Sequence, residues 1–332
     1  MDVLHDEGTA VDPAGGLASL LGPVPVDGFL GERLGRRPLL VRGAARRYAG
    51  VLGWAELNGL LAALRADPSR MHLAGGATPR SLLSCTEPVP QLAQRGAPLR
   101  IVPDRLREAM ADGATLVVDG IEELHAPLRQ LVEDVERELR CLVQVNLYAN
   151  LGGAAQGFGT HWDDHDVLIL QVEGAKHWEI HRPTEEHPVG VLSDPPRPEG
   201  EPYWSGELTD GDLLHLPRGW WHRVSATDRP SAHLTVSARL PSAGDLLRHW
   251  LADLAREHPV ARQDLPRFAD PAGAADWYAE LRAALHRAVD APGLLERLAA
   301  RVDRGAPARP SFDLPSFGLP SFGLPAGPAE TR

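Results

Sequence analysis

Thr160-His161-Trp162-Asp163 sets an imidazole and a carboxylate two residues apart. In an extended strand, positions i and i+2 share a face, so both side chains can reach one metal ion. A third candidate ligand closes the run Gly211 to His222, GDLLHLPRGWWH. Here an apolar strand, Leu213 to Leu216, is ended by Pro217, Gly219 permits a tight reversal, and His222 is aimed back toward the preceding strands. Two imidazoles and one carboxylate form a facial triad with three coordination positions open on one side, which suits an oxygen-activating iron(II) centre. His161, Asp163 and His222 are therefore the candidate metal ligands and the candidate catalytic set. An isolated His-x-Asp arises often by chance, and its alternative is an ordinary hydrogen-bonded strand edge. Its weight comes from the second histidine run, 61 residues after His161, with strand-like segments between the two. His165, His177, His181, His187 and His215 lack such a pairing and read as surface or packing histidines.

An iron centre of this kind needs a co-substrate, and a dicarboxylate co-substrate needs a cation. Lys176 to His181 alternates so that Lys176, Trp178 and Ile180 share a face, which places a lysine on an apolar, inward side. A buried ammonium is costly unless an anion meets it. Lys176 is thus the candidate partner for the far carboxylate of 2-oxoglutarate. The alternative is a lysine that snorkels out from the strand end beside Gly174-Ala175.

These residues need strands to hold them. Leu142 to Ala149, Val167 to Val172, Lys176 to His181, Asp212 to Leu216 and Ala232 to Ala238 are short strand patterns cut by Gly and Pro, which predicts a sandwich or barrel. Upstream, Phe29 to Gly43 reads as a short basic helical piece before Pro38 followed by a strand, Leu39 to Val41. Trp54 to Arg65 and Ala126 to Leu139 carry apolar residues at helical spacing, and Ala114 to Val118 has a buried-strand pattern. After Pro241 the helical period returns, with Leu246, Leu247, Trp250, Leu251 and Leu254 on one face, then Trp277, Leu281 and Leu285, then Leu294, Leu295 and Leu298. The expected organisation is a mobile, acidic, Gly-rich arm over 1–22, a main domain over 23–240 and a helical appendix over 241–304. A disordered tail with the repeat PSFDL, PSFGL, PSFGL follows over 305–332. The tail's phenylalanines offer docking as an alternative role.

The chain of 332 residues is 43% hydrophobic and 24% charged, the balance of a globular protein, and its 33 Gly and 30 Pro predict many turns. A formal charge of −11 opposes nucleic acid or an anionic membrane as direct partner. Two cysteines, Cys85 and Cys141, are too few for a disulfide framework, so the cytoplasm is the expected compartment. The first residues lack a basic flank leading into an apolar run, and no apolar stretch is long enough to span a bilayer, so neither a secretory signal nor a membrane anchor is expected.

The spacing of Gly211, Pro217, Gly219 and His222 resembles the second motif of the cupin superfamily, although Ala226 stands where that motif ends in Asn. The position of the usual cupin Glu is taken by Val167 or Leu168, which favours an oxygenase over an isomerase. The run VNLYANLGGAAQGFGTHWDDHDVLILQVEGAKHWEIHRP, Val145 to Pro183, resembles the core of the JmjC-type ribosomal oxygenases, also called cupin-4 proteins. In that family a Lys or Arg that binds 2-oxoglutarate follows the His-x-Asp pair by fifteen residues, the interval from His161 to Lys176. The resemblance implies that Asn146 contacts the co-substrate, with the following loop one residue longer here, and that Tyr148 is a pocket tyrosine. It further assigns His233 and Ser237 to the co-substrate pocket, where the residues alone allow a solvent-facing polar edge to the strand. The implied fold is mainly β with helices, a double-stranded β-helix (cupin/JmjC jelly-roll barrel) plus the C-terminal helical appendix.

That resemblance implies an Fe(II)- and 2-oxoglutarate-dependent dioxygenase that hydroxylates a protein side chain, His or Arg. Its partners are dioxygen and a protein or peptide substrate, with Tyr148, Trp162 and Trp220 as pocket walls. In the family the appendix dimerises and precedes a winged helix; only 28 residues follow Arg304 here, too few for that domain, which leaves the ribosomal substrate open. A homodimer through 241–304 is expected. Two alternatives stand beside the leading reading: a tailoring hydroxylase for a peptide or amino acid natural product, and a cupin barrel that only binds.

Overall fold

A computed structural model describes residues 1–6, 8, 10–63, 66–76, 80–89, 98–153, 159–304 and 309. The expected tail therefore lies outside the described residues apart from Arg309. Thirteen described strands run β1 (Asp2–Asp6), β2 (Leu39–Gly43), β3 (Met71–Gly75), β4 (Thr86–Pro88), β5 (Leu99–Ile101), β6 (Ala114–Val118), β7 (Leu142–Asn150), β8 (Asp166–Glu173), β9 (Ala175–His181), β10 (Trp204–Thr209), β11 (Leu213–Leu216), β12 (Trp221–Ala226) and β13 (Ser231–Arg239). The helices described are α1 (Gly16–Leu21), α2 (Val26–Glu32), α3 (Trp54–Ala63), α4 (Pro103–Ala111), α5 (Ala126–Leu139), α6 (Ala243–Glu257), α7 (Pro271–Val289) and α8 (Leu294–Arg304).

Eight strands form one sheet in the order β1-β2-β11-β8-β13-β7-β6-β3, and three form a second in the order β10-β9-β12. Among the described strands of the large sheet, only the β1–β2 pair is parallel. β8 shows why the sequence accepts this arrangement. Its run DVLILQVE is apolar on both faces because both are covered. Leu168, Leu170 and Val172 join the core under the helices, while Val167 and Ile169 meet Trp178 and Ile180 of β9 and Leu208 of β10 between the sheets. That second, smaller core is the floor on which the site is built. The two sheets together are the expected jelly roll, with a fourth strand of the small sheet reduced to a single bridge between His161 and His222.

Four expectations need correction. Residues 1–22 are not a loose arm: β1 pairs with β2, and α1 buries Leu17, Leu20 and Leu21 completely. Each such leucine stabilises the fold by about 2 kcal/mol, which anchors a segment that is polar elsewhere. β10 and β12, both in the small sheet, were absent from the strand pattern because WSGELT and WHRVSA mix small, charged and aromatic residues without a clean apolar alternation. The helical piece before Pro38 starts earlier, at Val26, and closes at Glu32. Finally, His161 and Asp163 do not share a strand, because the chain leaves the bridge at His161 and turns.

Candidate metal centre and its cavity

Two elements and one turn assemble the site. β12 presents His222, held in register with Ile180 of β9. The bridge locks His161 to it, with the His161 amide donating to the His222 carbonyl at 3.0 Å and the His222 amide donating back at 2.8 Å. Asp163 is placed by its own carbonyl, which accepts from the Gly219 amide at 2.9 Å. Gly219 adopts φ 84°, a left-handed conformation, so the reversal read from the sequence is the same one that ties the two ligand segments together.

The result is one cluster: ligand atoms of His161, Asp163 and His222 all lie within 4.8 Å of one another. Nε2 of His222 is 3.6 Å from a carboxylate oxygen of Asp163, too long for a good hydrogen bond but within the span of two bonds of about 2.1 Å to a shared ion. The imidazole centroids of His161 and His222 are 4.3 Å apart. Each ring is oriented through Nδ1, His161 toward the Gly159 carbonyl at 2.8 Å and His222 toward the Trp220 carbonyl at 3.1 Å. A Nδ1–H donated to a carbonyl fixes the tautomer that offers Nε2 to a metal. Burial holds His222 below its ordinary value, with Asp163 opposing and His161 reinforcing the shift, so it is poised as a neutral ligand.

A cavity of about 80 Å³ runs from these groups between the sheets. Lys176 enters it from β9, only 3% exposed, and its one hydrogen bond among the described residues goes to the Tyr148 carbonyl at 3.3 Å. Burial without a carboxylate partner pulls its ammonium down to about 7. His233 stacks on Tyr148 with centroids 4.8 Å apart, and burial, then Lys176, then His222 hold it well below its usual value. Tyr148 is pushed up to about 12 by burial, with Asp163 adding to it, and so stays a neutral hydroxyl. Two imidazoles, one carboxylate and a buried ammonium awaiting an anion fit a divalent cation together with a dicarboxylate.

The expected residues divide cleanly. His161, Asp163, His222, Lys176, Tyr148 and His233 all line the cavity; Asn146 and Ser237 do not. Asn146 instead accepts from the Gly120 amide at 3.2 Å and hydrogen-bonds the Tyr148 side chain, so it braces a wall residue. In their place the wall holds Thr115, Asn150 and Thr235, none of which was singled out as a site residue. Thr235 shares the polar alternation of His233, and Thr115 is the lone hydroxyl of the buried strand ATLVV, signals that were present and unused. Trp220 is buried in the core between the sheets, where it meets Tyr203, rather than on the cavity wall. Trp162 is likewise not on that wall. His215 is a packing histidine as expected, buried against Asp166 at 3.0 Å and edge-on to Phe29.

Residues 122–246 match the JmjC domain family. The Dictyostelium discoideum protein named bifunctional lysine-specific demethylase and histidyl-hydroxylase NO66 is 33% identical over 178 residues, covering 51% of this chain and 34% of its own length. Ribosomal oxygenase 1 of Gallus gallus is 28% identical over 259 residues, 74% of this chain and 41% of its own. The chain thus spans well under half the length of these curated relatives. Among solved structures, the Escherichia coli ribosomal oxygenase YcfD in complex with cobalt and 2-oxoglutarate superposes with a TM-score of 0.52 at 18% identity, covering 85% of this chain and 71% of that one. Fold and site agree with a JmjC domain over residues 122–246, a two-sheet jelly roll with a His-x-Asp…His cluster lining its inner cavity. The relatives and structures that the chain is similar to include proteins named ribosomal oxygenases and histidyl-hydroxylases.

Proposed function

We propose that the protein is an iron(II)- and 2-oxoglutarate-dependent dioxygenase that hydroxylates a side chain of a protein substrate. The observation that carries this is the pairing of the His161–Asp163–His222 cluster with a buried, carboxylate-free Lys176 in one cavity. Iron(II) with 2-oxoglutarate would supply dioxygen activation and C–H hydroxylation, with release of succinate and carbon dioxide. The chain's own share is binding and positioning. His161, Asp163 and His222 would hold the metal. Lys176 would fix the far carboxylate of the co-substrate, and Tyr148, His233 and Trp178 make a close-packed aromatic wall that would exclude water. Histidine is the first side chain to test as the target, because several relatives are named histidyl-hydroxylases; arginine is the second.

The test is direct. Purified chain with iron(II) should release succinate from 2-oxoglutarate, and an intact-mass screen of histidine- and arginine-containing peptides should show a gain of one oxygen on one of them. His222→Ala should lose metal binding and at least about 100-fold of turnover. Full succinate release by that variant would sink the assignment.

No described helix is long and apolar enough to cross a membrane, and both cysteines are buried free thiols, which favours a reducing compartment such as the cytoplasm. Leu247, Leu251 and Leu295 of the helical appendix are half or more exposed, which supports a homodimer through 241–304; light scattering of the chain with all three changed to Ser against the native chain tests it.

A further inference from the structure

We propose, on the metal assignment above, that Asp166 is a positioning residue for the metal centre, anchoring the one turn that holds two of the three ligands. Its carboxylate does not itself belong to the ligand cluster.

The turn runs from Pro217 to Trp220, closed by the Trp220 amide donating to the Pro217 carbonyl at 3.2 Å. Gly219 is left-handed at its third position, which makes it a type II reversal. Each of its last three residues makes one directed contact. The Arg218 amide donates to Oδ1 of Asp166 at 3.0 Å. The Gly219 amide donates to the Asp163 carbonyl at 2.9 Å, and the Trp220 carbonyl accepts from Nδ1 of His222 at 3.1 Å. The last two contacts place metal ligands, and the first fixes the turn that makes them. Pairing of β8 with β11 stops at Val167 opposite Leu216, so the Asp166 side chain carries the tie one step past the ladder.

Asp166 is itself immobilised. It is 3% exposed, and its Oδ2 accepts from Nε2 of His215 at 3.0 Å and from the Gly35 amide at 2.6 Å. His215 is fully buried and edge-on to Phe29 of α2. Burial would raise the carboxyl, but His215 and the amides of Arg218 and Gly35 together outweigh it and hold the group below its ordinary value. An ionised carboxylate with three donors is a strong, directional acceptor. A continuous set of contacts thus leads from Gly35 and Phe29, before β2, through His215 and Asp166 to the ligand turn. The alternative is an acid that only closes the end of a largely apolar strand, which would affect stability and leave the ligands alone.

Cobalt(II) titration of the full chain, followed by visible absorption, reads affinity and coordination geometry in the folded protein. In Asp166→Asn every neighbour is a donor, so the amide nitrogen faces one of them and a tie is lost whichever way it turns. This variant should weaken cobalt(II) binding about tenfold to 100-fold and change the band shape. Arg218→Pro tests the same bond from the other side, because proline suits the second residue of a type II turn and removes the amide donor. It should bind cobalt(II) at least about tenfold more weakly than Arg218→Ala, which loses the side chain and keeps the amide. Leu170→Ala, in the same strand but with its side chain in the core under the helices, controls for lost stability. It should lower Tm while keeping native affinity and spectrum. Where Asp166→Asn fails to fold, the pair at Arg218 decides. Equal affinity and spectra in Arg218→Pro and Arg218→Ala, or the same weakening in Leu170→Ala, overturns the positioning role and leaves the metal assignment standing. A native chain that binds no cobalt(II) overturns both.

Discussion

Lys176 shows how a single buried charge can be informative. Burial lowers its pKa to about 7 from an ordinary 10.5, and no carboxylate opposes the shift among the described residues. Because the folded value lies below the unfolded one, the unfolded chain holds a proton that the ligand-free folded chain does not between about pH 7 and 10.5. The lysine's destabilising effect is therefore full below about pH 7 and fades as pH rises through that window. Replacement by Met should stabilise the ligand-free protein at pH 6.5 more than at pH 9.5, as urea denaturation at the two values would reveal. The same shift implies that a dicarboxylate draws a proton onto Lys176 when it binds. At pH 8 the binding enthalpy should differ between phosphate and Tris buffers in the sense of proton uptake, up to one proton per site. A buffer-independent enthalpy would contradict the proposed contact.

Among the elements, the turn between β11 and β12 determines whether the ligands meet. Gly219 sits at φ 84°, and a Cβ there would lie 2.7 Å from Cγ and 2.8 Å from Cδ of Pro188. Gly219→Ala should therefore cost about 1–3 kcal/mol and move the Asp163 carbonyl contact, weakening metal binding about tenfold or more. Gly211 provides the comparison. At φ 96° its Cβ would meet the Ala44 carbonyl at 2.1 Å, where β11 approaches the end of β2, away from the ligands. Gly211→Ala should lower Tm at least as much, yet any folded fraction should bind metal normally. Parallel thermal melts and manganese titrations separate the two effects. The sequence announced this turn, since Pro and Gly at fixed offsets specify a reversal locally. It said less about β12 itself, whose membership in the small sheet depends on β9 as a distant partner.

For the molecule as a whole, one described residue beyond the last helix, Arg309, meets the strand that carries the cavity wall. Arg309 meets Glu122 at 3.1 Å, Glu136 at 3.4 Å and the Val143 carbonyl at 3.2 Å. Both glutamates are buried and accept β7 amides, Glu122 from Val145 at 3.0 Å and Glu136 from Val143 at 3.2 Å. They satisfy that edge of β7 at positions for which no pairing with β6 is seen. Removing the guanidinium leaves two neighbouring carboxylates uncompensated. Arg309 is itself a quarter exposed, so the full effect of breaking a buried pair is discounted to about 1–3 kcal/mol. Arg309→Ala should shift the urea midpoint accordingly, and Arg309→Lys should recover part of the loss. An unchanged midpoint would mean the contact contributes nothing.

The amino-acid sequence by itself picked out the candidate ligand trio that the fold brings into one cluster, the inward lysine, β6 and α5 to the residue, and most of the strands around them. Each of these is written in local chemistry or in a short period: spacing, alternation, a proline, a glycine. Only the tertiary structure decided that this N-terminal segment is anchored to the domain, because the parallel pairing of β1 with β2 and the burial of the α1 leucines depend on residues far along the chain. It alone also replaced Asn146 and Ser237 by Asn150, Thr115 and Thr235 on the cavity wall. Which polar side chain of an alternating strand reaches a cavity depends on where along the strand the opposite sheet closes over it, and that boundary is a property of two sheets, not of one segment.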